Sequence, residues 1–208
     1  MGARSTLCSH RADTASVYYP VGIDATVDYY RAIGEAADLP VLVYYLAAAG
    51  TPFSAESFCE RLATLPCVEA LKYTSPDLET LAKIVELTDG KLNVVMGCDQ
   101  LLLPALTIGA NAAIGTTYNF MPEIFVGIYE SHRAGDIRRA EELMARGFHI
   151  IQLIKRGYPT LNAWRECVRI RGFETGQCRL PIPPLAEDKK KQLRADLEAA
   201  GFFTDPIR

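Results

Sequence analysis

The chain has 208 residues, 49% of them hydrophobic and 23% charged, with a formal net charge of −3. That is long enough for one sizeable core, and the charge balance offers no electrostatic footprint for nucleic acid or an anionic membrane. Six scattered cysteines without C-x-x-C spacing, and three histidines that do not cluster with them, give a zinc site little support. They predict reduced thiols in a cytoplasmic protein with no metal and no separate cofactor.

Five apolar stretches read as strands, each followed by a helical pattern. Thr14 to Tyr19 precedes a helix near Asp24 to Ala37, and Pro40 to Leu46 precedes one near Ala55 to Thr64. Val68 to Lys72 precedes one from Pro76 to Leu87. There, Ser75 suits the N-cap, Pro76 the first helical position and Asp77 the positive end of the dipole, and Gly90 is the stop. Leu92 to Met96 precedes a helix near Asp99 to Ile108, and Ala112 to Thr116 one near Pro122 to Ala134. Strand starts at such regular spacing, with helices between, predict parallel strands joined by βα crossovers. Helices alone follow: Asp136 to Lys155, Pro159 to Gly172 and, after a proline-rich link, Ala186 to Ala200. The expected organisation is a leader over 1–11, a partial (β/α) barrel over 12–135 and a helical segment over 136–208.

Lys72 stands at the end of an apolar run, just before a short loop and a helix. That is where α/β barrels keep their chemistry. An amine in an apolar site loses hydration, which lowers its pKa from about 10.4 and makes it a nucleophile able to form a Schiff base with a carbonyl. Taken singly, each candidate also has an ordinary reading. Tyr44 and Tyr45 suit a strand as aromatics, Asp99 suits a helix N-cap, and Gly115 to Asn119 suits a strand-to-helix turn.

Taken together and in order, Leu65-Pro66-Cys67-Val68-Glu69-Ala70-Leu71-Lys72-Tyr73-Thr74-Ser75 and Gly115-Thr116-Thr117-Tyr118-Asn119 resemble the N-acetylneuraminate lyase and dihydrodipicolinate synthase superfamily of Schiff-base aldolases, whose fold is a (β/α)8 TIM barrel. The second run is more typical of the neuraminate lyase branch. The resemblance implies that Lys72 captures the keto carbon of pyruvate as a covalent imine. It implies that Tyr44, in the run Leu42 to Gly50, shuttles protons and faces the pyruvate carboxylate, with Tyr45 as the fallback. Thr74, the backbone of Gly97, the Asp99 side chain, Gln100 and Thr116 then line the sugar-derived part of the substrate. Tyr18 and Tyr19, before Pro20, resemble the aromatic segment that packs near the active site across a subunit contact. The implied partners are a 2-keto sugar acid and pyruvate, with a homo-oligomer, a tetramer in the family, if the barrel is complete.

The pattern also departs from the family. Its first strand matches the family's fourth, so five βα units stand where a closed barrel has eight. The glycine- and hydroxyl-rich loop that holds the pyruvate carboxylate has no counterpart here. Gln100 replaces a usual glutamate and Ala47 a proline, and Ala47-Ala48-Ala49 lacks the arginine usual in the dihydrodipicolinate synthase branch. The expectation is an aldolase-lyase for N-acetylneuraminate or a related 2-keto sugar acid. The alternatives are an inactive homologue with a structural or regulatory role, a non-functional fragment, or another pyruvate-dependent aldolase. Exposed strand edges predict a truncated product or a chain completed by a partner. A doubly wound nucleotide binder ranks last, because no glycine-rich phosphate motif follows any strand.

Overall fold

The structure, a computed structural model, describes residues 11–14, 21–37, 39–46 and 53–203. The chain divides into two compact units, Met1–Ile114 and Gly115–Arg208.

In the first unit, strand and helix alternate: β1 (Arg11–Thr14), α1 (Ile23–Ala37), β2 (Val41–Leu46), α2 (Ala55–Leu62), β3 (Val68–Thr74), α3 (Leu78–Thr88), β4 (Asn93–Met96), α4 (Leu102–Ile108) and β5 (Ala112–Ala113). The strands form one sheet in the order β1-β2-β3-β4-β5, every neighbouring pair parallel. This is the expected α/β architecture of βα units. Among the described residues the sheet ends at β1 on one side and β5 on the other.

The period-2 alternation of strands sorts the side chains onto two faces. Val41, Val43, Tyr45, Leu71, Tyr73, Val94 and Met96 belong to the main core, with Val27 and Tyr30 of α1, Phe58 and Leu62 of α2, and Leu81 and Ile84 of α3. Leu42, Ala70 and Val95 form a second, smaller cluster, against which Ala112 packs. Both faces carry apolar residues, which is why β2 reads as an unbroken apolar run. Phe58 anchors the main core, its ring centroid 6.0 Å from that of Tyr30, 6.2 Å from Tyr45 and 5.0 Å from Phe53.

Several boundaries differ from expectation, each for a local reason. β1 spans Arg11–Thr14, where its ladder with β2 runs, and shares only Thr14 with the expected strand. Residues 15–20, including Tyr18 and Tyr19, lie outside the described residues. The cap of α3 is Asp77, not Ser75. Its carboxylate accepts from the Thr80 amide at 3.0 Å and the Thr80 hydroxyl at 2.7 Å, two bonds that a serine at position 75 cannot make. Ser75 closes the turn before it by accepting from the Asp77 amide at 3.2 Å. Asp89 and Gly90, with φ of 45° and 74°, take the left-handed conformation that ends the helix. The segment expected as one helix from Asp99 opens as a 3-10 turn, Asp99–Leu101, and continues as α4. β5 stops at Ala113, because after the bond from the Ile114 amide to the Met96 carbonyl (3.0 Å) the chain leaves the ladder.

The second unit begins with a 3-10 turn, Thr116–Asn119, and continues as α5 (Pro122–Arg133), α6 (Ile137–Gly157), α7 (Thr160–Ile170) and α8 (Glu187–Ala199). Asp136 caps α6 by accepting from the Arg139 amide at 3.1 Å. Glycines let α5 and α6 close together. A Cβ at Gly127 would stand 2.9 Å from Leu143 Cδ1, and one at Gly147 would stand 3.2 Å from Ile124 Cγ2. Arg171 gathers this unit. It pairs with Glu123, donates to the Phe120 carbonyl at 2.8 Å, and lies over the Phe202 ring at 4.3 Å. No helix among the described residues is long and apolar enough to cross a membrane.

Two outcomes test this packing. A Cβ at the buried Gly34 of α1 would stand 2.5 Å from both Cβ and Sγ of Cys67. Overpacking outweighs the helix-propensity gain, so Gly34→Ala lowers stability by about 1–2 kcal/mol in urea melts. The Thr80 hydroxyl and amide hold the Asp77 carboxyl below its ordinary value of 3.8. Its folded value being depressed, the cap contributes fully above pH 3.8 and is lost as acid takes the pH lower. Asp77→Asn keeps a capping oxygen and removes this site's share of the acid limb in a stability–pH profile.

Candidate active site

The parallel register of β2 and β3 sets Tyr44 directly beside Lys72, and that of β3 and β4 sets Lys72 beside Val95. Paired residues on neighbouring strands point to the same face, so Tyr44 and Lys72 leave the sheet together. The Lys72 Nζ rests 4.2 Å from the centroid of the Tyr44 ring. Such a cation over an aromatic face is worth about 0.5–2 kcal/mol, depending on desolvation. Both residues are half-buried.

Tyr45 is on the other face. Its ring stacks on Tyr73 with centroids 5.8 Å apart and planes 9° from parallel, inside the main core. The Tyr73 hydroxyl donates to the Asp77 carbonyl at 3.1 Å, and burial holds its phenol above the ordinary range. One residue of sequence therefore separates the tyrosine against the lysine from the tyrosine in the core.

Thr74, two residues beyond Lys72, shares its face. Its Oγ1 is buried and finds no hydrogen-bond partner among the described residues. A buried hydroxyl left unmade is costly, which makes this atom a natural ligand-facing group. Gly97 follows β4 and closes the wall. Its amide donates to the Tyr73 carbonyl at 2.8 Å. A Cβ at Gly97 would stand 1.8 Å from Thr74 Oγ1, 2.9 Å from Thr74 Cβ and 3.1 Å from Lys72 Cε.

Asp99 and Gln100 open the 3-10 turn after β4, Asp99 buried and Gln100 half-buried. Asp99 is the first residue of that turn and Cys98 its cap, so the reading of Asp99 as a mere N-cap does not describe its position. The first unit thus places Lys72, Tyr44, Thr74 and Gly97 against one another, with Asp99 and Gln100 following at the same strand end. Thr116 belongs to the second unit and is exposed, in the 3-10 turn in which Asn119 Nδ2 donates to the Thr116 carbonyl at 2.9 Å. No group of histidine, cysteine and carboxylate side chains suited to a metal occurs among the described residues.

The arrangement offers an amine beside an aromatic ring, an orphaned hydroxyl and a wall without a side chain. If the ring itself holds the amine, Tyr44→Phe leaves Lys72 labelling by an acylating reagent as in the wild type, and Tyr44→Ala raises it. Quantitative mass spectrometry of the Lys72 peptide reads this directly.

Comparisons with known proteins show the family. Over 187 residues the chain is 32% identical to an uncharacterised DapA-like lyase of Halobacterium salinarum, which covers 89% of the chain and 60% of that relative. It is 34% identical over 185 residues to the N-acetylneuraminate lyase of Escherichia coli, covering 86% of the chain and 60% of that enzyme. The chain therefore spans about 60% of the length of these curated relatives. The native structure of N-acetylneuraminate lyase (sialic acid aldolase) from Aliivibrio salmonicida superposes with a TM-score of 0.83 at 25% identity, over 93% of this chain and 65% of that one. Such neighbours place the five-stranded sheet in the TIM-barrel fold class. The model of the dihydrodipicolinate synthetase family matches residues 16–200, and the chain belongs to that family.

Proposed function

We propose that this chain carries the Schiff-base site of an aldolase-lyase that cleaves a 2-keto sugar acid of the N-acetylneuraminate type to pyruvate and an aldehyde sugar. The observation that carries the reading is the Lys72 amine seated on the Tyr44 ring, in register on adjacent strands.

The chemistry runs as follows. The Lys72 ammonium gives up a proton, its amine adds to the keto carbon, and that proton leaves with the carbinol oxygen as water, which yields a protonated imine. The bond between C3 and C4 then breaks. Its electron pair moves into the imine, forming an enamine, while the C4 hydroxyl loses its proton and becomes the aldehyde. In this reading Tyr44 receives that proton, directly or through the substrate carboxylate. Protonation of the enamine at C3 and addition of water release pyruvate and restore the amine. Thr74 Oγ1 and Asp99 would take hydroxyls of the substrate, with Gln100 as a further polar contact. The Gly97 amide is already bonded to Tyr73, so a substrate contact from this backbone falls to the Gly97 carbonyl. Gln100 makes its contact as a neutral group. The run Ala47-Ala48-Ala49, free of arginine, favours a sugar acid over an aldehyde bearing a carboxylate.

Borohydride added with pyruvate tests this reading. The expected result is a reduced pyruvyl adduct on the Lys72 peptide, abolished in Lys72→Ala. Tyr44→Phe keeps the adduct but slows carbon–carbon cleavage by about 10²–10⁴-fold, the usual share of a positioned acid–base group. A wild-type chain that forms no adduct overturns the proposal and leaves the inactive homologue as the better reading.

A further inference from the structure

Packing is close around Gly97, where three atoms of two proposed site residues occupy the volume a side chain would take. The structure assigns Gly97 as a positioning residue for Lys72 and Thr74, acting through the side chain it lacks. This rests on the aldolase reading for its functional consequence, though not for its geometry.

The bond from the Gly97 amide to the Tyr73 carbonyl, at 2.8 Å, clamps the backbone of position 97 against β3. Tyr73 lies between Lys72 and Thr74, and its ring is stacked on Tyr45 in the core. The backbone at 97 therefore cannot retreat without breaking that bond. Thr74 Oγ1, 1.8 Å from where a Cβ would stand, points into the open space over Gly97, and Thr74 Cβ is only 2.9 Å from it. Those distances lie far below van der Waals contact, so a methyl group at 97 forces Thr74 out of its rotamer. Lys72 Cε, at 3.1 Å, belongs to a flexible chain and yields by a few tenths of an ångström on its own. The displaced Thr74 is the larger disturbance, because it stands on the same face as Lys72 and two residues away. Gly97 thus leaves the volume that the Thr74 side chain takes, and the lysine stem borders the same volume at Cε.

The experiment compares the wild type with Gly97→Ala, Thr74→Gly and the double variant. Two readouts are taken: adduct formation with pyruvate and borohydride, and labelling of Lys72 by an acylating reagent relative to the exposed Lys91. Gly97→Ala is expected to slow adduct formation at least tenfold and to change Lys72 labelling severalfold, with Lys91 unaltered. The double variant returns to the level of Thr74→Gly, since removing the threonine side chain clears the two tightest contacts. A folded Gly97→Ala chain with both readouts within twofold of wild type overturns the inference while the aldolase reading stands. A wild type that forms no adduct, alongside altered Lys72 labelling in Gly97→Ala, sinks the aldolase reading and leaves the positioning role intact. Should Gly97→Ala fail to fold, the double variant decides. Its matching Thr74→Gly supports the inference, and its failing to fold where Thr74→Gly folds overturns it.

Discussion

The site depends on one constraint, the parallel register between β2 and β3. That ladder pairs Tyr44 with Lys72 and Tyr45 with Tyr73 in successive steps. Because side chains alternate across a strand, the first pair leaves one face and the second enters the core on the other. A slip of β3 by one residue would turn Lys72 toward Phe58 and Leu81 and lift Leu71 and Tyr73 out of the core. The core therefore defends the site. The aromatic packing of Tyr30, Phe58, Tyr45 and Tyr73 holds the register that puts an amine on an aromatic ring.

Small residues do the complementary work. Gly34 lets α1 settle on Cys67, and Gly97 leaves the space that Thr74 and Lys72 fill. In the second unit Gly127 and Gly147 do the same for α5 against α6. In each case the missing side chain matters because a neighbour already occupies its volume, and dense interiors have no slack to absorb a methyl group. Function and stability share this device, since the close approach that seats a helix is the same kind of contact that shapes the wall beside Lys72.

Burial separates the remaining reactive groups from the site. Cys167 is buried, and desolvation pushes its thiol up to about 12, as burial pushes Cys59 to about 11. Both are structural thiols at neutral pH. None of the five described cysteines forms a disulfide. Arg171 and Glu123 pair inside the second unit, and the guanidinium also binds the Phe120 and Phe202 carbonyls, so its charge is satisfied within its own unit.

The sequence by itself determined the alternation of strand and helix, the parallel sheet, the family and the candidacy of Lys72. The elements and the sheet follow from apolar periodicity and turn residues, the family from the resemblance of its motif runs, all local properties of the chain. It could rank Tyr44 above Tyr45 only through resemblance, because both suit a strand equally. It misplaced the cap of α3 by two residues, since serine and aspartate both cap and only the folded turn shows which oxygen reaches Thr80. It extended β5 to Thr116, because propensity cannot see where a ladder runs out of partners. Tertiary structure alone decided which tyrosine meets the lysine, which hydroxyl is left without a partner, and that Gly97 matters for an absent side chain. Each of those depends on atoms far apart in sequence being brought into register, and no local pattern records that.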